Sequence, residues 1–248
     1  MPKYDLSLDT PLMNAAGSLG FSPSGQDAID LSKLGALVTN PVSLRVRTPA
    51  SSRCFLTFPG GFLMHTGHPN PGLNKVLRRY AAHWRRSQLP IIVHVLADNA
   101  GEIVQMLARL ESIENVTGIE IGIPPDASPA LLISLVEAAT GELPVVVRLP
   151  LDRSIDLAPH LMDSAVAAIS LGPPRGALPG PDSALIHGRI YGPGIFPLAL
   201  AAVRTIKDVG VPVIGAGGVY QPGDVDAMLS AGAIAVQLDS VLWRGDYG

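Results

Sequence analysis

Residues 145–149, Val145-Val146-Val147-Arg148-Leu149, form an apolar run broken by a single arginine near its end. A strand with one wet face alternates apolar and polar residues, whereas an unbroken β-branched run marks a parallel strand covered on both faces. The same device recurs on either side. Strand candidates lie at Leu12–Gly17, Ala36–Val42, Ile91–Ala97, Gly118–Ile123, Ala165–Leu171, Val213–Ala216 and Ala233–Leu238. Between them, apolar residues recur at three and four: Ile103, Met106, Leu107 and Leu110, and again Leu198, Ala202, Val203 and Ile206. Asn99 and Ser128 stand where helices would be N-capped, and Pro129 follows the latter at a first helical position. Gly210 before Pro212, and Gly232, read as helix stops.

Eight strands alternating with helices in 248 residues predict an α/β fold of one domain, 1–248, a (β/α)8 TIM barrel. A doubly wound open sheet is the alternative. It would want a glycine-rich turn after its first strand, and Asn14-Ala15-Ala16-Gly17-Ser18-Leu19-Gly20 matches G-x-G-x-x-G poorly.

Composition narrows the function. One cysteine, Cys54, forbids an internal disulfide and any multi-cysteine metal or iron–sulfur site. Net charge is −3, the basic residues are scattered apart from Arg78–Arg79 and Arg85–Arg86, and aromatics are only 5%. Nucleic acid, which asks for a positive face or stacking platforms, is not an expected partner. Met1 to Asp9 lacks the apolar stretch of a signal peptide, and no apolar run is long enough to span a bilayer. The expectation is a cytoplasmic chain with no membrane partner.

In a TIM barrel the site lies on the loops after the strands. Two of these are long, Arg45 to Gly72 and Leu171 to Pro197, and long loops in compact barrels act as lids or binding loops. Near the C-terminus, Gly215-Ala216-Gly217-Gly218-Val219 and Val236-Gln237-Leu238-Asp239-Ser240 end the last two strands. Glycines there let backbone N–H groups approach an anion, so these loops read as a phosphate site. Asp239 would repel a phosphate, and is expected to offer its backbone N–H and turn its side chain away.

These segments resemble the dihydroorotate dehydrogenase-like family of FMN-binding barrels, over nearly the whole chain. Asn14-Ala15-Ala16-Gly17 is similar to the family's strand-one flavin contact, and Gly35 through Arg53 to its strand-two segment and arginine-containing loop. Gly67-His68-Pro69-Asn70-Pro71-Gly72 resembles Gly-Leu-Pro-Asn-Pro-Gly, and Gly188-Arg189-Ile190-Tyr191-Gly192-Pro193-Gly194-Ile195 resembles Gly-Gly-x-Ser-Gly-Pro-x-Ile. Residues 212–219 and 235–240 are similar to the family's FMN-phosphate half. The resemblance implies a flavoprotein oxidoreductase that passes a hydride between a small cyclic substrate and FMN, in pyrimidine biosynthesis. It assigns FMN binding to Ala16, Gly17, Asn40, Arg148, Gly192, Gly217, Gly218, Asp239 and Ser240, and substrate binding to Asn70. A homodimer is a possible assembly, and an iron–sulfur partner subunit would leave no cysteine trace here.

The chain also departs from the pattern. Where the family reads Glu-Leu-Asn-x-Ser-Cys-Pro-Asn, this sequence has Glu120-Ile121-Gly122-Ile123-Pro124-Pro125-Asp126-Ala127. The base position is thus Pro125, which has no proton to exchange, and both asparagines are gone. Asn40 stands for a lysine, Met64 for an asparagine, and Arg148 for a lysine that would support reduced flavin. Asp126 and His65 are the candidate substitutes for the base, with His68 beside them. Tyr191 replaces a serine, while Cys54, His94, His160 and the pair His83-Trp84 read as packing or surface residues. Two alternatives stay open: a flavin-binding barrel without dihydroorotate dehydrogenase activity, and a phosphate-ligand lyase or isomerase. The latter is weakened by the absence of any lysine at a strand's C-terminal end.

Overall fold

The structure is a computed structural model that describes residues 6–22, 29–51, 54–180 and 184–244; Arg53 lies outside them. In chain order it runs β1 (Leu12–Asn14), β2 (Leu37–Val38), β3 (Val42–Ser43), β4 (Cys54–Phe58), β5 (Gly61–His65) and α1 (Leu73–Arg86). The middle holds β6 (Ile91–Leu96), α2 (Ala100–Leu110), β7 (Val116–Gly122), α3 (Pro129–Ala138), β8 (Val145–Pro150) and α4 (Leu151–Leu157). The last third holds β9 (Ala168–Gly172), β10 (Arg175–Pro179), β11 (Leu185–Tyr191), α5 (Phe196–Val209), β12 (Val213–Ala216), α6 (Pro222–Ala231) and β13 (Ala235–Leu238).

The parallel strands follow the order β1-β13-β12-β9-β8-β7-β6-β2, with β3 also on β6. A parallel bridge between Met13 and Ala36 returns β1 to β2 and closes the ring. β2 and β3 are two pieces of one stave, interrupted near Pro41, which has no N–H to give to a ladder. The result is the eight-staved TIM barrel read from the sequence. Among the described residues there are six α-helices; a short 3-10 turn, Leu31–Lys33, follows β1 and another, Ser240–Trp243, follows β13. The caps fall where expected. Asn99 accepts from the Glu102 N–H and Ser128 from the Leu131 N–H, each stabilising its helix by about 1 kcal/mol. Gly210 and Gly232 end α5 and α6 at φ of 94° and 113°.

Alternation along the staves builds the interior. Met13, Ala36, Val38, Ile92, Val146, Ala168, Ile214 and Ala235 meet inside the barrel as one apolar layer. Their neighbours Val145, Val147, Ile169 and Val213 face the helices in the larger core. Two residues beyond the apolar layer the pleat returns inside, and there the side chains are polar: His94, Glu120, Arg148, Ser170 and Gln237.

The two long loops form a second sheet. β4 and β5 make one antiparallel hairpin, β10 and β11 another, and β11 pairs with β5 to give the order β10-β11-β5-β4. Backbone approach is close enough that a Cβ at Gly61 would lie 2.1 Å from the Tyr191 carbonyl oxygen. Phe62 and Tyr191 of this sheet stack on each other and Trp243 packs tilted against both, with ring centroids 5.2 to 6.0 Å apart.

Candidate active site

The floor of the site is the polar layer, and Glu120 is its hub. Its carboxylate accepts from His94 Nδ1 at 2.6 Å, Ser170 Oγ at 2.7 Å, Gln237 Nε2 at 2.7 Å and Arg148 Nη1 at 3.4 Å. Five staves therefore converge on one fully buried group. Burial alone would raise the Glu120 carboxyl, but the Arg148 charge and the hydrogen bonds from His94 and Ser170 outweigh it and hold it well below the ordinary range. An ionised Glu120 can only accept, so His94 carries its proton on Nδ1 and leaves Nε2 as an acceptor. Burial lowers the His94 pKa against the pull of Glu120, keeping the ring neutral. Nε2 sits against Gly122, where a Cβ would come within 2.7 Å of it. A glycine at 122 is what gives the imidazole its place.

Above this floor a cavity opens under the second sheet. Ala16, His94, Gly122, Pro125 and Arg148 line it from the barrel; His68, Arg175, Arg189 and Tyr191 line it from the loops and the covering sheet. Three guanidinium groups thus face one space, and Glu120 is the buried carboxylate beneath them. The consequences appear in the neighbouring groups. Burial, then the charges of Arg189, Arg148 and Arg47, lower His68 to about 2. Burial pushes the Tyr191 hydroxyl up, and burial together with Arg148 and Arg175 lowers Arg189. Such a site takes an anion with an apolar body.

Of the residues singled out from the sequence, Ala16 and Arg148 line the cavity, and Gly17 follows Ala16 with φ of 94°. Asn40 adjoins the lining residue Pro41, and its Oδ1 is buried with no hydrogen-bond partner among the described residues. Pro125 lines the cavity, whereas Asp126 is exposed and does not. His65 lies in β5 opposite Cys54 and also stays outside the lining; His68 enters it. Asn70 is buried and holds the loop: its Oδ1 accepts from the Ser43 and Gly72 N–H groups and its Nδ2 donates to the His68 carbonyl. Gly192, Gly217, Gly218, Asp239 and Ser240 are not among the residues that line the cavity, although Gly192 follows the lining residue Tyr191. The Asp239 side chain accepts from the Ser240 N–H and hydroxyl and caps the last 3-10 turn. Sequence reading passed over Arg175, Arg189, Ser170 and Gln237 and took His94 as structural. The signal was present in the strands: His94, Arg148, Ser170 and Gln237 each lie two past a residue of the apolar layer, and Glu120 two past Gly118.

A sequence model of the dihydroorotate dehydrogenase family matches residues 3–148. The catalytic subunit of dihydroorotate dehydrogenase B (NAD(+)) from Geotalea uraniireducens is 28% identical, over 96% of this chain and 87% of its own. The corresponding subunit from Pelobacter propionicus is 29% identical, over 94% and 84%. A crystal structure of dihydroorotate dehydrogenase from Eimeria tenella in complex with ferulenol shares the fold, with a TM-score of 0.76 at 14% identity over 98% of this chain and 80% of that one. The family is flavin-dependent. No helix among the described residues is long and apolar enough to cross a membrane. With the match covering more than half of the sequence, and the closed parallel barrel carrying its polar floor at the strands' C-terminal ends, the chain belongs to the dihydroorotate dehydrogenase family.

Proposed function

We propose that this chain is a flavin-dependent oxidoreductase, with FMN as the flavin its resemblance implies, acting on a small cyclic anion in the manner of dihydroorotate dehydrogenase. The observation that carries the reading is the polar floor, where Arg148 and His94 are both positioned by one buried carboxylate at the edge of the cavity. When bound, the flavin supplies the two-electron acceptor. Arg148 places a fixed positive charge where negative charge grows on ring reduction. The orphaned Asn40 Oδ1 suits a ring N–H, and Ala16 and Gly17 leave room for a flat ring to lie close. Arg175 and Arg189, from the covering sheet, suit a substrate carboxylate.

Hydride loss from a carbon next to an acidic C–H also requires a proton acceptor. Pro125 cannot serve, and Asp126 and His65 stand outside the cavity. His68 is surrounded by cations that oppose its protonation. His94 has a lone pair at Nε2 beside the cavity and a carboxylate behind Nδ1 to stabilise the imidazolium. His94 is therefore the proposed base, oriented by Glu120. The names of the relatives as catalytic subunits support a partner subunit that takes the electrons onward, and a cytoplasmic, pyrimidine-linked role agrees with the resemblance. Loss of the family base at Pro125 favours the second reading, a flavin barrel with no activity on dihydroorotate itself.

Fluorescence titration with flavin, followed by anaerobic mixing with dihydroorotate and related cyclic carboxylic acids, tests the proposal. The expected result is flavin uptake and bleaching by one of the acids. His94→Gln should slow bleaching by about 10²–10⁴-fold while leaving flavin affinity in place. Absence of flavin uptake would overturn the proposal, and bleaching unaffected by His94→Gln would remove His94 from its role.

A further inference from the structure

The loops that the resemblance assigns to a flavin's phosphate are buried and closely packed. The register Ala216↔Gln237 sets the glycines after β12 beside Asp239 and Ser240 after β13. All four residues are buried, and the chain itself fills the space around them. A Cβ at Gly218 would stand 2.3 Å from the Phe196 nitrogen, and one at Gly217 3.1 Å from the Ile195 side chain. These glycines let α5 close onto the barrel wall. The donors of the β13 loop are engaged as well. The Ser240 N–H and hydroxyl both donate to Asp239 Oδ1, the hydroxyl at 2.9 Å, and the Tyr220 hydroxyl lies 3.0 Å from the same Ser240 oxygen. The residues present fit the ring of a flavin and do not fit its phosphate. A dianion here would meet the buried Asp239 side chain and find the Ser240 N–H and hydroxyl already donating to it.

We infer that Asp239 decides which form of flavin this chain accepts: its carboxylate stands in for the phosphate, so the flavin is held through its ring and sugar and a terminal phosphate adds no affinity. The inference rests on the flavin reading above and specifies the ligand of that same site.

The test compares FMN with riboflavin by fluorescence quenching, on the full chain and on Asp239→Gly and Asp239→Asn, with circular dichroism as the check that each variant folds. The glycine variant frees both Ser240 donors; the asparagine variant keeps the cap and removes only the charge. For the parent chain the two flavins should bind within about threefold of each other. Asp239→Gly should favour FMN by about tenfold or more, since one charge-assisted hydrogen bond is worth roughly that factor, and Asp239→Asn should shift the same way by less. Riboflavin affinity should hold in both. A parent chain that prefers FMN by tenfold, or a ratio that neither folded variant moves, would overturn the inference and leave the flavin reading intact. Failure of every protein to bind either flavin would overturn the flavin reading and the inference with it.

Discussion

Replacing Glu120 with glutamine removes one charge from a group that four donors share, and the geometry sets the size of the effect. The amide oxygen can still serve Ser170 and Gln237, both at 2.7 Å from the present Oε1. The amide nitrogen then faces Arg148 and His94, which now donate to Oε2. His94 can respond by moving its proton to Nε2, so that Nδ1 accepts. Arg148, whose side chain is only 11% exposed, has no such remedy and loses its buried counter-charge. Breaking a buried pair from one side costs about 3–5 kcal/mol, and with one contact rescued by the tautomer change the lower end applies. A loss of about 3 kcal/mol should lower the melting temperature of a chain this size by roughly 6–12 °C. Urea denaturation should show the loss as a shifted midpoint at unchanged slope. The Glu120 pKa is depressed in the fold, so its contribution is present above the ordinary value of 4.5 and is lost as pH falls below it. Glu120→Gln should therefore also flatten stability on the acid side. A loss below about 1 kcal/mol, the worth of a single ordinary hydrogen bond, would refute the account of Glu120 as the sealed hub.

Three further outcomes follow from single contacts. His68, lowered from 6.5 to about 2, stays neutral in the fold while the unfolded chain takes up a proton below 6.5. Stability should fall with acidification by up to about 1.4 kcal/mol per pH unit from this residue, and His68→Asn should remove that share from denaturation midpoints measured between neutral and mildly acid pH. Gly122→Ala puts a Cβ 2.7 Å from His94 Nε2 and 2.8 Å from Leu96; overpacking of this kind costs about 1–3 kcal/mol, and the His94 ring resonances should shift in NMR spectra. Asn70→Ala leaves the Ser43 and Gly72 N–H groups unpaired and should destabilise by about 1–3 kcal/mol; full stability with weakened substrate binding would instead give Asn70 a direct contact.

The barrel was legible because its signals are local. A stave buried on both faces cannot help being apolar throughout, and Val145 to Val147 announce it; Asn99, Ser128, Gly210 and Gly232 then mark the helix ends by their own chemistry. The covering sheet was not legible. Cys54–Phe58 and Gly61–His65 carry apolar residues on both faces, and the pairing of Gly61–His65 with Leu185–Tyr191 joins segments more than a hundred residues apart. What spacing could see was only that these loops are long. The polar floor was half legible. Arg148 stood out within an apolar run, but His94, Glu120, Ser170 and Gln237 belong together only through the phase of the pleat and the closure of the ring. Gly217 and Gly218 show the limit of motif reading: in one dimension nothing tells that a Cβ on either would run into Ile195 or Phe196 at the start of α5.

The most direct measurement of the central claim, a flavin ring reduced beside Arg148, is the midpoint potential of bound flavin in the parent chain and in Arg148→Met. Removing a fixed positive charge from the ring's edge should make reduction harder, and each 1.4 kcal/mol lost corresponds to about 30 mV for a two-electron couple. The account requires the potential to fall by at least about 30 mV, one tenfold step, with flavin still bound; an unchanged potential in the loaded variant would place Arg148 away from the ring and contradict it.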